Sequence, residues 1–188
     1  IAVQGPNSRK ILEKFVWTAP IQPSITELEW FRFNIARIDH ETGTPIVISR
    51  TGYTGELGYE IYASQDSVKK IWEKLIETGY QYGLIPAGLG CRDTLRLEMG
   101  YCLHGNDITE QTTPLEAGLS WIVKMNKKFI GKDVLAQQLS KGVNRCLVGF
   151  VLEEKGIQYC IDITNQLNGD NIDERSVLDL IEKYNTII

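Results

Sequence analysis

Apolar residues recur at two spacings along this chain, and the switch between them outlines its elements. From Trp30 to Ile38 the period is two: Phe31, Phe33 and Ile35 alternate with Arg32, Asn34 and Ala36, which predicts a half-buried strand. His40 to Pro45 supplies a turn around Gly43, and Ile46 to Ser49 reads as the second arm of a hairpin. Leu57, Tyr59, Ile61 and Ala63 then alternate with Gly58, Glu60 and Tyr62 in a third strand. That period sets Glu60 on the face opposite Tyr59 and Ile61. From Asp66 to Thr78 the spacing becomes helical, through Val68, Ile71, Trp72, Leu75 and Ile76, with Gly79 after the end. A further helix is expected over 87–98, with Arg92 and Arg96 four apart on one face.

The flanks are less regular. Ile1 to Val3 reads as the end of a strand, and a short helix capped by Asn7 or Ser8 is expected over 9–15. Pro20 and Pro23 suggest a linker at about residues 17–28. Beyond Gly100 the pattern predicts a short helical piece over 115–119, a strand at 121–123, a helix over 132–139 and a strand over 147–152. Residues 158–188 read as polar loop plus a terminal helix over 176–184. Strands followed by helices without strict alternation argue for an α+β fold. The apolar opening Ile1-Ala2-Val3, with no initiator methionine, reads as a piece of a longer protein.

Composition narrows function mainly by exclusion. The chain has 188 residues, 43% hydrophobic and 23% charged, as expected of a globular protein with a core. A net charge of −4 gives no global attraction to nucleic acid or anionic membrane. Cys91, Cys102, Cys146 and Cys160 form no C-x-x-C pair, and His40 and His104 are too few for a histidine metal cluster. The cysteine pattern reads as reduced thiols in an intracellular protein.

The candidate chemistry gathers around Arg50 to Glu60, RTGYTGELGYE, whose glycines 52, 55 and 58 stand three apart. This spacing is neither a dinucleotide fingerprint nor a phosphate-binding P-loop. So permissive a backbone lets something approach closely, either a ligand or the protein's own chain. Glu60, an acid within an apolar strand, needs either water or donors, because burying it unpaired is costly. It is as readable as a solvated surface residue as it is a ligand-binding one. Arg92 could hold Glu60 through a bidentate contact or pair with acids on its own helix. Tyr53 and Tyr59 read equally as packing residues, and His104 as an ordinary loop histidine.

Several co-linear motifs carry a resemblance. RTGYTGELGYEIY (Arg50 to Tyr62), GLGCRDTLRLEMGYCLHGNDI (Gly88 to Ile108) and TPLEAGLSWIVK (Thr113 to Lys124) resemble the aminomethyltransferase family, the T-protein of the glycine cleavage system. VQGPNS, FIGKDVL and LVGFVLEEKGI follow the same family in the same order, so the resemblance covers roughly residues 1–157. Dimethylglycine and sarcosine dehydrogenases share the glycine motif in their folate-dependent parts.

The resemblance implies a three-domain cloverleaf, of which this chain would hold the end of a first folate-binding domain (1–28). A ferredoxin-like central domain (29–140) and the start of a C-terminal region (141–188) would follow. It implies tetrahydrofolate as the acceptor, no metal, and a lipoylated carrier protein as the partner. The folate nitrogen would attack an aminomethyl carbon and release ammonia, in glycine catabolism and one-carbon metabolism, in bacterial cytoplasm or the mitochondrial matrix. Glu60 matches the family's pterin-binding glutamate, and Tyr53 and Arg92 match residues of the folate site. The family's catalytic aspartate would lie upstream of Ile1, leaving no catalytic residue in this chain. His104 stands where the family usually has tyrosine. A non-catalytic folate-binding module, or the folate domain of a dehydrogenase relative, is the alternative.

Overall fold

The computed structural model describes residues 1–149 and the backbone of 160–163. These residues divide into two compact units, one over 1–101 and one over 102–149 with 160–163.

The first unit is built on a five-stranded sheet. In chain order its elements are β1 (Ala2–Gln4), α1 (Ser8–Leu12), β2 (Val16–Thr18), β3 (Phe33–Ile38), β4 (Pro45–Ser49), β5 (Gly58–Tyr62), α2 (Gln65–Gly79) and α3 (Leu89–Glu98). The sheet order is β1-β5-β4-β3-β2, with every neighbouring pair antiparallel. Strands β2 to β5 form a meander, and β5, its last strand, comes back to pair with β1.

One sheet face carries the core. Val3, Ala36, Ile38, Ile46, Ile48, Tyr59 and Ile61 pack there with Ile11, Leu12 and Phe15 and with Ile71 and Leu75 of α2. Each fully buried side chain of this size contributes about 1.5–3 kcal/mol. Helix α2 follows its predicted span to within a residue at each end, although Val68 and Trp72 of the apolar stripe remain exposed.

The alternation in β3 is present, but the set it buries is not the aromatic one. Asn34, Ala36 and Ile38 face the core, while Phe33 is 66% and Ile35 62% exposed. Pairing explains this: Asn34 lies opposite Ile48 and Ala36 opposite Ile46, and residues directly opposite share a face. Asn34 is satisfied there because its amide donates to the Pro23 carbonyl.

The expected linker over 17–28 is partly structured. Val16–Thr18 forms the edge strand β2, and Ile25 and Leu28 are buried. Helix α1 is shorter than predicted, and Phe15 joins the core from the turn that follows it.

The second unit contains α4 (Lys132–Lys141) and the antiparallel pair β6 (Cys146–Gly149) and β7 (Cys160–Ile163). Two expectations need correcting here. Residues 120–122 form a 3₁₀ turn rather than a strand, with Trp121 71% exposed. Cys160–Ile163, read from sequence as polar loop, is a strand held by β6. The predicted terminal helix over 176–184 lies outside the described residues.

Candidate functional site

The glycine segment forms the loop between β4 and β5, and the group approaching its backbone is the protein's own chain. The carboxamide of Gln4 lies across the loop. Its Nε2 donates to the carbonyls of Thr51 (3.2 Å) and Tyr59 (3.1 Å), and its Oε1 accepts from the Thr54 hydroxyl (2.9 Å). A Cβ on Gly52 or Gly58 would collide with that carboxamide, and one on Gly55 would meet the Met99 side chain. Gly55 also has φ +75°, the left-handed region where glycine is favoured. All three glycines therefore have local structural reasons. Gln4, the residue that organises the loop, carries no signal in the sequence pattern.

Tyr53 projects from this loop toward α3. Its ring stacks on Tyr101 at 5.7 Å between centroids, its hydroxyl donates to the Tyr101 carbonyl at 3.3 Å, and the Arg92 guanidinium lies over it at 5.0 Å. Arg96, one turn along α3, is 3% exposed and ties the group down. It binds Asp93 at 2.7 Å and donates to the same Tyr101 carbonyl at 3.2 Å. The helical spacing put Arg92 and Arg96 on one face; the structure exposes Arg92 and buries Arg96. Burial of Arg96 is tolerable because a carboxylate and a carbonyl meet its donors.

Glu60 stands on the sheet face opposite Tyr59 and Ile61, as its strand period predicts, with Ser49 and Ala2 opposite it in register. Its Oε2 accepts from the Thr51 hydroxyl and from the Tyr62 hydroxyl, the latter at 3.3 Å. Among the described residues no ion pair or hydrogen bond joins Glu60 to Arg92, whose guanidinium lies over the Tyr53 ring instead. Tyr53 and Arg92 are thus brought together, and Glu60 is held separately at the far end of the same loop. Tyr59 is wholly buried, its hydroxyl bonded to Ile25 O and Arg9 Nε, so it is a core residue. His104 is exposed in a loop closed by a bridge to Ile108.

Elsewhere, a cleft of about 600 Å³ is lined by Pro20, Gln22, Glu29, Arg32, Phe33 and neighbours, and none of Tyr53, Glu60 or Arg92 borders it. Among the described residues, no three His, Cys, Asp or Glu side chains gather as a metal would require, and no helix is long and apolar enough to cross a membrane. In the second unit, Thr113 and Glu116 form a reciprocal cap. The Thr113 N–H donates to Glu116 at 2.8 Å, and the Glu116 N–H donates to the Thr113 hydroxyl at 3.3 Å. Arg145 joins Glu116 at 3.1 Å. Burial pushes the Glu116 carboxyl upward, but the Thr113 N–H and the Arg145 guanidinium together hold it below its usual value.

Residues 1–127 match the family described as the GCVT N-terminal domain. Over 158 residues the chain is 52% identical to an aminomethyltransferase of Halothermothrix orenii, covering 84% of this chain and 42% of that protein. It is also 44% identical over 156 residues to a trimethylamine-oxide aldolase of Ruegeria pomeroyi, covering 81% of this chain and 20% of that protein. Among solved structures it is similar to the glycine cleavage system aminomethyltransferase T from Bartonella henselae. That match has a TM-score of 0.63 and 36% identity, covering 79% of this chain and 38% of that one. The chain thus spans about two fifths of the length of the aminomethyltransferases it matches. By the family match across most of its length and this agreement in fold, the chain belongs to the GCVT family.

Proposed function

We propose that this chain forms part of the tetrahydrofolate site of an aminomethyltransferase of glycine cleavage. The observation that carries the reading is Glu60, a carboxylate standing on the open sheet face with Oε2 held by hydroxyls. No donor from the described residues reaches its Oε1. A pterin offers a ring N–H and an amino group side by side, and a carboxylate is the acceptor that suits adjacent donors. Arg92, exposed, adds a cation for the folate's anionic tail, and Tyr53, itself packed against Tyr101, is the ring over which that guanidinium lies. The reaction moves a methylene group from an aminomethyl-lipoyl arm on a carrier protein to tetrahydrofolate, with loss of ammonia. In it these residues bind and orient the acceptor; the family's catalytic aspartate is not among them. Assignment of the sheet to a ferredoxin-like domain belongs to the same proposal, supported by its antiparallel strands with helices on one face.

Calorimetry with tetrahydrofolate tests the reading. Glu60→Gln replaces one acceptor with a donor facing the pterin's donors, a mismatch of about 1–3 kcal/mol. Affinity should fall while the fold persists; unchanged affinity would remove Glu60 as the pterin ligand.

The similarity to the trimethylamine-oxide aldolase supports a second reading, in which the same folate site sits within a larger enzyme of different chemistry. The gene sequence on either side of this chain separates the two, since the aldolase is matched over a fifth of its length only.

A further inference from the structure

We infer that Thr51, backed by Ser49, is a positioning residue that fixes the Glu60 carboxylate in one orientation and presents its Oε1. The Thr51 hydroxyl donates to Glu60 Oε2, and the Ser49 and Thr51 hydroxyls lie 2.7 Å apart. A hydroxyl has one proton to give. With Thr51's proton on the carboxylate, the Ser49–Thr51 bond carries the proton of Ser49, and the two bonds run in one direction. Bonds so aligned polarise one another.

The relay rests on fixed backbone. Ser49 is the register partner of Glu60 across β4 and β5 and is 8% exposed. The Thr51 carbonyl is held by Gln4 Nε2. With Thr51 and Tyr62 both donating to Oε2, the two lone-pair directions of that oxygen are filled. An otherwise unrestrained glutamate on an open sheet face would sample several rotamers, and a ligand would have to freeze them. Here the order is built in, and Oε1 is the atom left to meet a ligand.

The ligand-binding consequence rests on the folate reading; the orientation of Glu60 does not, so the experiment has two arms. In the first, the ligand-free full chain is labelled at glutamate side chains. The Glu60 carboxyl-carbon resonance is assigned by its disappearance in Glu60→Gln. Thr51→Val should displace that resonance, and Thr51→Ser, which keeps the hydroxyl, should restore it. Should Thr51→Val fail to fold, Ser49→Ala substitutes for it, with a smaller displacement expected. An unmoved resonance, or a serine variant that does not restore it, overturns the inference.

In the second arm, tetrahydrofolate affinity should fall about threefold to tenfold in Thr51→Val, the net effect of one hydrogen bond, and recover in Thr51→Ser. In a Glu60→Gln background the Thr51→Val change should add nothing, because Thr51 acts through Glu60. A displaced resonance with unchanged affinity in every variant would leave the positioning role intact and refute the folate reading alone.

Discussion

Gly58→Ala puts a methyl group where the Gln4 carboxamide lies, and the outcome depends on how firmly that carboxamide is held. The obstructing atoms are the end of a flexible side chain, so Gln4 can rotate away, but only by releasing three hydrogen bonds, to Thr51, Tyr59 and Thr54. At about 0.5–1.5 kcal/mol each, those bonds total about 1.5–4.5 kcal/mol. Alanine recovers about 0.4–1 kcal/mol by restricting the unfolded chain, so Gly58→Ala should cost about 0.5–4 kcal/mol net. Gln4→Ala should cost about 1.5–4.5 kcal/mol by removing the same bonds directly. In the Gln4→Ala background the obstruction is gone, and Gly58→Ala should become neutral or stabilising by up to about 1 kcal/mol. The two substitutions should therefore couple strongly. Denaturant-dependent hydrogen exchange at the Tyr59 and Ile61 amides reads this sheet separately from residues 102–149. Additive effects across the three variants would refute Gln4 as the organiser of the loop.

Three further outcomes follow from the same geometry. Gly55→Ala, at φ +75° and against Met99, should destabilise the loop by about 1–2 kcal/mol, measured as a lower denaturation midpoint. Tyr59→Phe strips a buried hydroxyl from Ile25 O and Arg9 Nε and should cost about 1–2 kcal/mol by the same measurement. Glu116 titrates below its ordinary value of 4.5 in the folded chain, so its contribution is fully present above that value and lost as pH falls through the folded pKa. Melting temperature should drop in that acidic window, and Glu116→Gln should flatten the drop while lowering stability near neutral pH.

The parts of this fold that were legible in sequence are those where local pattern and tertiary packing agree. Helix α2 has both a helical apolar stripe and a sheet face on which to bury Ile71 and Leu75 of it, and β5 alternates cleanly enough to place Glu60 on the open face. Strand β3 shows where agreement fails. Phe33 and Ile35 look like the core set, but the register with β4 commits Asn34, Ala36 and Ile38 to the helices. Strands β2 and β7 are short and exist through their partners, so Trp17 and Thr18 passed for linker and Cys160–Ile163 for loop. Gln4 acts through long-range hydrogen bonds that no periodicity reports, and Arg96 is buried although its spacing matched that of the exposed Arg92. Two signals were readable and missed: Thr113-x-x-Glu116 forms the reciprocal pair its spacing announces, and Ser24-x-x-Glu27 forms the half in which the glutamate accepts from the serine N–H. In the candidate site, the strand period located Glu60, whereas the stacking of Arg92 on Tyr53 depends on where α3 meets the loop.

Folate binding along the Arg50 to Glu60 loop is open to a direct test, the mapping of amide resonances during a tetrahydrofolate titration of the full chain. Perturbations should concentrate at Tyr53, Thr51, Glu60 and Arg92 and require a markedly higher tetrahydrofolate concentration in Glu60→Gln. Perturbations confined instead to the cleft lined by Pro20, Gln22 and Arg32, or persisting unchanged in Glu60→Gln, would contradict it.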